Sequence, residues 1–78
     1  MGNGDGALVQ AAQGGDEDAF GALVEHHWSR MVGFARSIVG DQDAEDAAQE
    51  AFVLAWRKLQ DLRDPDKFAG WLTKTLAG

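Results

Sequence analysis

Apolar residues recur at helical spacing between residues 17 and 39. They stand three, four or seven positions apart, which places them on one face of a helix with 3.6 residues per turn. Asp16 precedes this run at the position of an N-cap, and Gly40 follows it where helices commonly end. The pattern predicts a long helix from about residue 17 to residue 39, with these apolar residues facing inward: Phe20, Leu23, Val24, Met31, Phe34, Ala35 and Ile38.

A second apolar stripe predicts another long helix that ends near Leu62. Asp41 or Asp43 can cap it, and both stay open on sequence grounds. Together with Glu45 and Asp46 they place four carboxylates where free backbone N–H groups and the helix dipole favour negative charge. The stripe has spacings of four, three, four and three and consists of Ala48, Phe52, Ala55, Leu59 and Leu62.

A short helix is predicted at each end of this pair. Asp5 can cap the first, which ends at the glycine pair 14–15. Asp64 followed by Pro65 is typical of an N-cap and a first-turn proline, so the last helix begins there. The inward residues of the two short helices are Leu8, Val9 and Ala12, then Phe68, Leu72 and Leu76.

The expected fold class is therefore all-α, a compact bundle of four helices with a short first helix, two long helices and a C-terminal helix. The inward stripes of the long helices predict a central core of Phe20, Phe34, Phe52 and Leu59. A chain of 78 residues allows one domain. We expect a flexible leader over residues 1–6 and a single helical domain over residues 7–78, a fragment of a longer chain.

Composition narrows the function classes. Cysteine is absent, and His26 and His27 point in different directions on a helix, so we expect no metal site and no cofactor. No nucleophile with a partnering base is evident, so enzyme activity is not expected. The longest apolar run, residues 51–56, is far shorter than the roughly 20 residues that cross a bilayer, which favours a cytoplasmic protein without membrane contact.

Charge is distributed unevenly along the chain. Seven basic and 13 acidic residues give a net charge of −6, which argues against binding duplex nucleic acid by charge alone. Residues 1–50 carry −8, whereas residues 51–78 carry +2. A polyanion would therefore be accepted only by the C-terminal third.

The second long helix leaves a polar stripe facing outward, with Trp56 beside it. An aromatic residue rimmed by polar groups is typical of a partner surface. The alternative is a solvated helix face with one exposed valine and a tryptophan folded over the core edge, and the pattern leaves both open. This outer stripe consists of Asp46, Gln49, Glu50, Val53 and Arg57.

Three blocks of sequence occur in an order and at spacings that resemble one family. They are GD…AF…L from residue 15, AED..QE.F..AW from residue 44, and F..WL from residue 68. With Leu8, Val9 and Leu59 they resemble region 2 of the extracytoplasmic-function (ECF) sigma factors of bacterial RNA polymerase. The resemblance covers about residues 8–77.

The resemblance implies that the chain docks on the clamp-helix coiled coil of the largest catalytic subunit of RNA polymerase. In the family, the helix with the D..QE motif makes this contact. Its carboxylates can pair with arginines of the clamp helices and fix the register. The residues assigned to RNA polymerase binding are Asp46, Gln49, Glu50, Val53 and Trp56.

The resemblance also implies contact with promoter DNA. In the family, the connection between the third and fourth helices and the fourth helix itself help to melt the −10 element and hold its non-template strand. Cations would meet phosphates, and an apolar floor would receive a flipped base. The residues assigned to DNA binding are Arg63, Lys67, Phe68, Trp71 and Lys74, although Trp71 also fits a position at the core edge.

The connection departs from the family's commoner pattern because it holds three acidic residues, Asp61, Asp64 and Asp66. They favour a rival interpretation, in which the chain is a sigma-like helical interaction module without DNA function. Such a module would be bound by an anti-sigma factor or act as a regulatory decoy. An anti-sigma factor is a further candidate partner under either interpretation.

Overall fold

The computed structural model describes residues 5–77, which fold into four α-helices joined by short turns. No strand occurs within that range, so the expectation of an all-α four-helix fold is confirmed. None of the helices in these residues is long and apolar enough to cross a bilayer. The helices are α1 (Asp5–Gln13), α2 (Glu17–Val39), α3 (Ala44–Lys58) and α4 (Phe68–Ala77).

Helix α2 has the bounds that the sequence predicts. The Oδ1 atom of Asp16 accepts a hydrogen bond of 3.1 Å from the backbone N–H of Ala19, which caps the first turn. At the other end Gly40 has φ of +89°, a conformation that side chains with a Cβ rarely adopt. Its N–H donates to the carbonyl of Arg36 at 3.0 Å, so the chain leaves the helix there.

The start of α3 differs from the prediction of a side-chain cap. Asp43 occupies the N-cap position, but its side chain makes no capping hydrogen bond. Asp41 instead turns back to α2, where its Oδ1 lies 2.9 Å from Nε of Arg36. This exposed pair bridges the turn at Gly40. It holds the Asp41 carboxylate away from the start of α3.

Two one-turn 3₁₀-helices replace the predicted last turn of α3 and the predicted first turn of α4. The α-helix stops at Lys58 rather than near Leu62, and a 3₁₀ turn over Leu59–Asp61 follows. A second 3₁₀ turn over Pro65–Lys67 precedes α4, and Asp64 caps it by accepting the N–H of Asp66 at 3.1 Å. The tighter winding turns the chain sharply while Leu59 and Leu62 both stay buried. We call residues 59–67 the connection.

The core is only partly the one that the stripes predict. Phe52 and Leu59 are buried as expected, but the assignment of Phe20 and Phe34 to the core is wrong, because both are only half-buried. Six of the eleven buried residues of α2 and α3 are alanines, so small side chains rather than aromatic rings fill much of the core on these helices. The largest fully buried side chains are Phe68, Leu23, Met31, Leu59, Leu72 and Val9.

Helix α1 is tied to α2 by a carboxylate that sequence inspection treated only as a cap. His27 is buried, and its Nε2 donates to Oδ2 of Asp5 at 2.8 Å. The Nδ1 atom of His26 lies 3.6 Å from the other oxygen of Asp5, so both imidazoles face the same carboxylate, contrary to expectation. Asp5 and Gly6 belong to α1, and residues 1–4 of the expected leader lie outside the described residues.

Candidate partner surface and nucleic-acid cleft

The outer stripe is exposed along the whole length of α3. Its charged and amide side chains are all exposed, and Val53 is 49% exposed. A half-exposed valine among polar groups is an apolar spot that a partner could cover. The stripe residues are Asp46, Gln49, Glu50, Val53 and Arg57.

Trp56 combines the two roles that the sequence left open. Its ring lies against Phe20 of α2, with centroids 5.0 Å apart and planes tilted by 56°. The side chain is nevertheless 38% exposed, so one part of the ring seals the α2–α3 seam and another part faces outward. It lies on α3 beside Val53, which gives the surface two apolar contacts within a polar rim.

A cleft lies between the connection and α4. Its volume is about 590 Å³. Gly70, Trp71 and Lys74 lie on one face of α4 and supply one wall, and Lys67, the last residue of the connection, continues the same spacing just before the helix. The lining residues are Asp61, Leu62, Arg63, Asp64, Lys67, Gly70, Trp71 and Lys74. The fold thus brings together four of the five predicted DNA-binding residues: Arg63, Lys67, Trp71 and Lys74.

Phe68 does not belong to the cleft. Its side chain is 0% exposed, so the prediction that it contacts DNA does not fit the structure. The ring lies 5.4 Å from that of His27 and 6.0 Å from that of Trp71. Apolar packing against α2 takes Phe68 into the core, from where it supports the half-buried Trp71. Trp71 therefore packs on the core edge and lines the cleft at the same time.

The cleft carries charges of both signs. Three cations and two carboxylates line it, so the lining residues sum to +1. Asp61 and Asp64 are the acidic members, and Asp64 also caps the turn that follows it. Asp66, the third acid of the connection, does not line the cleft and lies against α1. Such a balance favours weak, salt-sensitive contact with a single strand over a strong grip on a duplex.

Sequence inspection missed the long-range hydrogen bonds that α1 makes. The side chain of Gln13, in α1, hydrogen-bonds two carbonyls of the connection, and Asp5 pairs with His27. These contacts join residues 22 to 49 positions apart, and no local pattern signals them. Gly70, by contrast, belongs to the segment that the resemblance assigned to promoter contact, and it lines the cleft.

The chain was compared with known proteins. The family model described as sigma-70 region 2 matches residues 23–78. The chain is 41% identical over 69 residues to the RNA polymerase sigma-H factor of Pseudomonas aeruginosa, and 39% identical over 69 residues to the RNA polymerase sigma factor NccH of Alcaligenes xylosoxydans xylosoxydans. It is 35% identical over 68 residues to the ECF RNA polymerase sigma-E factor of Haemophilus influenzae.

These alignments cover 87% of this chain and 36%, 37% and 36% of the three relatives, in that order. The chain therefore spans little more than a third of the length of the curated relatives it matches. No solved structure matches the chain.

The family match includes the outer stripe and the cleft, which both lie within residues 23–78. The chain belongs to the sigma-70 region 2 family. Within that family the curated relatives place it with the region 2 domains of the ECF sigma factors.

Proposed function

We propose that this domain acts in transcription initiation, where α3 docks on the clamp helices of the bacterial RNA polymerase core and the cleft holds the non-template strand of the −10 element. The observation that carries the proposal is the exposure of the whole D..QE motif on α3, within the segment that matches the family. Those three side chains make no hydrogen bond or ion pair among residues 5–77 that would give them a structural task. They are Asp46, Gln49 and Glu50.

The chemistry of the outer stripe suits a cationic helical partner. Carboxylates at Asp46 and Glu50 can accept charge-assisted hydrogen bonds from arginine, and the amide of Gln49 lies between them in sequence. Val53 and the exposed part of Trp56 supply apolar contact that excludes water from these bonds. Burial at the centre and charge at the rim is the usual anatomy of a specific interface.

The cleft supports the second half of the proposal. Arg63, Lys67 and Lys74 place three cations around a half-buried indole, the arrangement that single-stranded nucleic acid needs for phosphates and bases. Lining carboxylates reduce the attraction, so the isolated domain should bind the strand weakly. Strand capture then depends on the polymerase, which holds the DNA close to the cleft and raises its effective concentration.

The docking surface is tested by substitution on α3. We expect Gln49→Ala combined with Glu50→Lys to weaken binding of the chain to RNA polymerase core by about 2–3 kcal/mol, roughly 30- to 150-fold in Kd, because repulsion replaces a charge-assisted contact. Glu25→Lys is the matched control, since it makes the same charge change at an exposed position of α2. Unchanged affinity of the double variant, with helix content intact by circular dichroism, would refute docking through α3.

A second candidate function is supported by the acidic residues of the cleft. Asp61 and Asp64 line it beside the cations, which suits a helical interaction module that binds protein partners, such as an anti-sigma factor, without contacting DNA. The two functions differ in one measurement. The interaction module would bind the polymerase or an anti-sigma factor but would not bind a −10 strand at any salt concentration.

A further inference from the structure

We propose that α1 is a brace that positions the connection, and that Gln13 is its positioning residue. The importance of this brace for DNA rests on the proposed use of the cleft. The brace itself is a statement about the free protein, and it can be tested without DNA.

The C-terminal end of α1 holds the start of the connection by three hydrogen bonds. The Nε2 atom of Gln13 donates to the carbonyl of Leu59 at 3.0 Å and to the carbonyl of Leu62 at 2.9 Å. In return, Nε2 of Gln60 donates to the carbonyl of Gln13 at 2.6 Å. One side chain of α1 therefore bridges the first 3₁₀ turn and the residue that leaves it.

The N-terminal end of α1 meets the other end of the connection. A Cβ atom added at Gly6 would lie 2.6 Å from Oδ1 of Asp66, so the two residues lie close together and the exposed Asp66 side chain would have to move to admit it. Between these two contacts lie Arg63 and Asp64, which line the cleft. Helix α1 is thus hydrogen-bonded to the start of the connection and packed against its end, and the middle of the connection forms a cleft wall.

The connection is held internally by short-range hydrogen bonds. Leu62 N–H donates to the carbonyl of Leu59, Lys67 N–H donates to the carbonyl of Asp64, and Asp66 N–H donates to Oδ1 of Asp64. Without Gln13, the carbonyls of Leu59 and Leu62, at the two ends of the first turn, would lose a partner that compensates for the missing α-helical hydrogen bonds. The connection would then sample more conformations, and strand binding would have to order Arg63 at an added entropic cost.

The first test is amide hydrogen exchange in the free chain. Gln13→Leu should accelerate exchange at the Leu62 amide about tenfold, because the carbonyl to which that amide donates loses its anchor. Gln10→Leu is the matched control, since it changes an exposed glutamine of the same helix, and it should leave the connection unchanged. Equal exchange rates at Leu62 in both variants would overturn the brace.

The second test is a pair of double-mutant cycles that measure binding of a labelled −10 non-template strand. If Gln13 acts through the connection, Gln13→Leu should weaken binding several-fold and should couple to Arg63→Ala, which lies in the connection, but not to Lys74→Ala on α4. If Gln13→Leu only destabilised the domain, its effect on binding would add independently to the effects of Arg63→Ala and Lys74→Ala. That result would overturn the positioning role. If the wild-type chain binds no strand, the proposed use of the cleft for DNA fails while the exchange test still decides the brace.

A third variant protects both tests if Gln13→Leu unfolds the domain. Gln60 is exposed, so Gln60→Leu removes one of the three hydrogen bonds without disturbing the core. It should accelerate exchange at Leu62 in the same direction and to a smaller extent than Gln13→Leu. No change at Leu62 in this folded variant would count against the brace.

Discussion

Asp5 and His27 form a hydrogen bond of 2.8 Å between Oδ2 and Nε2, which joins the first residue of α1 to the middle of α2. The imidazole is buried, and the ring of Phe68 lies against it at 5.4 Å. A polar group in such a place needs a partner, because leaving it unsatisfied costs free energy that solvation no longer offsets. The bond therefore fixes the N-terminal end of α1 against the core.

Replacing Asp5 should test that bond. We expect Asp5→Ala to lower the free energy of unfolding by about 1–3 kcal/mol, because the buried Nε2–H of His27 loses its acceptor. Asp5→Asn keeps an acceptor oxygen at the same place and should lose clearly less. Urea denaturation followed by circular dichroism measures both, and equal losses in the two variants would mean that His27 does not depend on the hydrogen bond.

Strand binding should run through the cleft cations and be weak in isolation. With about three phosphate contacts and a slope near −0.7 for each, log affinity for a −10 non-template oligonucleotide should fall by about two for each tenfold rise in salt. Lys67→Ala and Lys74→Ala should each weaken binding and reduce the slope. Arg30→Ala, an exposed cation of α2 outside the cleft, is the matched control.

Fluorescence titration of the labelled −10 strand with the chain tests whether the cleft cations bind it. Duplex DNA should not bind measurably at physiological salt, since the chain carries −6 overall. Binding that ignores both salt and the lysine substitutions would place the strand elsewhere. Absence of binding even at low salt would favour the interaction module.

The loss of stability on truncating a phenylalanine should rank by how deeply its ring is buried. Phe68→Ala removes a ring with 0% exposure and should cost about 3–5 kcal/mol of stability. Phe52→Ala should cost a similar amount, since its ring is buried and stacks on Trp28 with centroids 6.1 Å apart. Phe34→Ala should cost clearly less, because that side chain is half-buried. Thermal melts of the three variants that place Phe34 first would contradict this order.

Glycine substitutions should change stability in opposite directions. Gly21 and Gly33 lie inside α2, and an added Cβ would meet nothing within 4 Å at either position. Each change to alanine should therefore stabilise the chain by about 0.5–1 kcal/mol. Gly40→Ala should instead destabilise it by about 1–3 kcal/mol, because φ of +89° with ψ of 170° is strained for any residue with a Cβ. Chemical denaturation of the three single variants measures the signs.

Sequence periodicity was sufficient for the four helices and for the outward side of α3. Asp16 and Asp64 act as the caps that their positions predict, since capping depends on neighbours within three residues. Periodicity failed where tertiary packing decided. Phe34 lies on the predicted stripe and is only half-buried. Periodicity was right for Phe68, which it predicted to face inward and which is wholly enclosed, although the resemblance had assigned that residue to DNA.

The longest-range contacts could not be predicted for a different reason. Gln13 bonds to Leu62 across 49 positions, and a glutamine at the end of a helix has no feature that distinguishes it from a solvated one. The same holds for Asp5, whose position is equally typical of a helix cap. Only the path of the backbone shows which polar side chain has a partner.

Helix α3 carries the outer stripe on its exposed side and leads without a break into the 3₁₀ turn that walls the cleft. The angle between the outer stripe and the cleft therefore depends on the number of residues that separate them along α3. Inserting one residue into α3 between Glu50 and Leu59 would turn the cleft by about 100° relative to Gln49 and shift it by about 1.5 Å. A substitution in this stretch acts where it stands, but a change in its length would misalign everything beyond it. The number of α3 residues between the two surfaces is consequently a constraint that no single side chain shows.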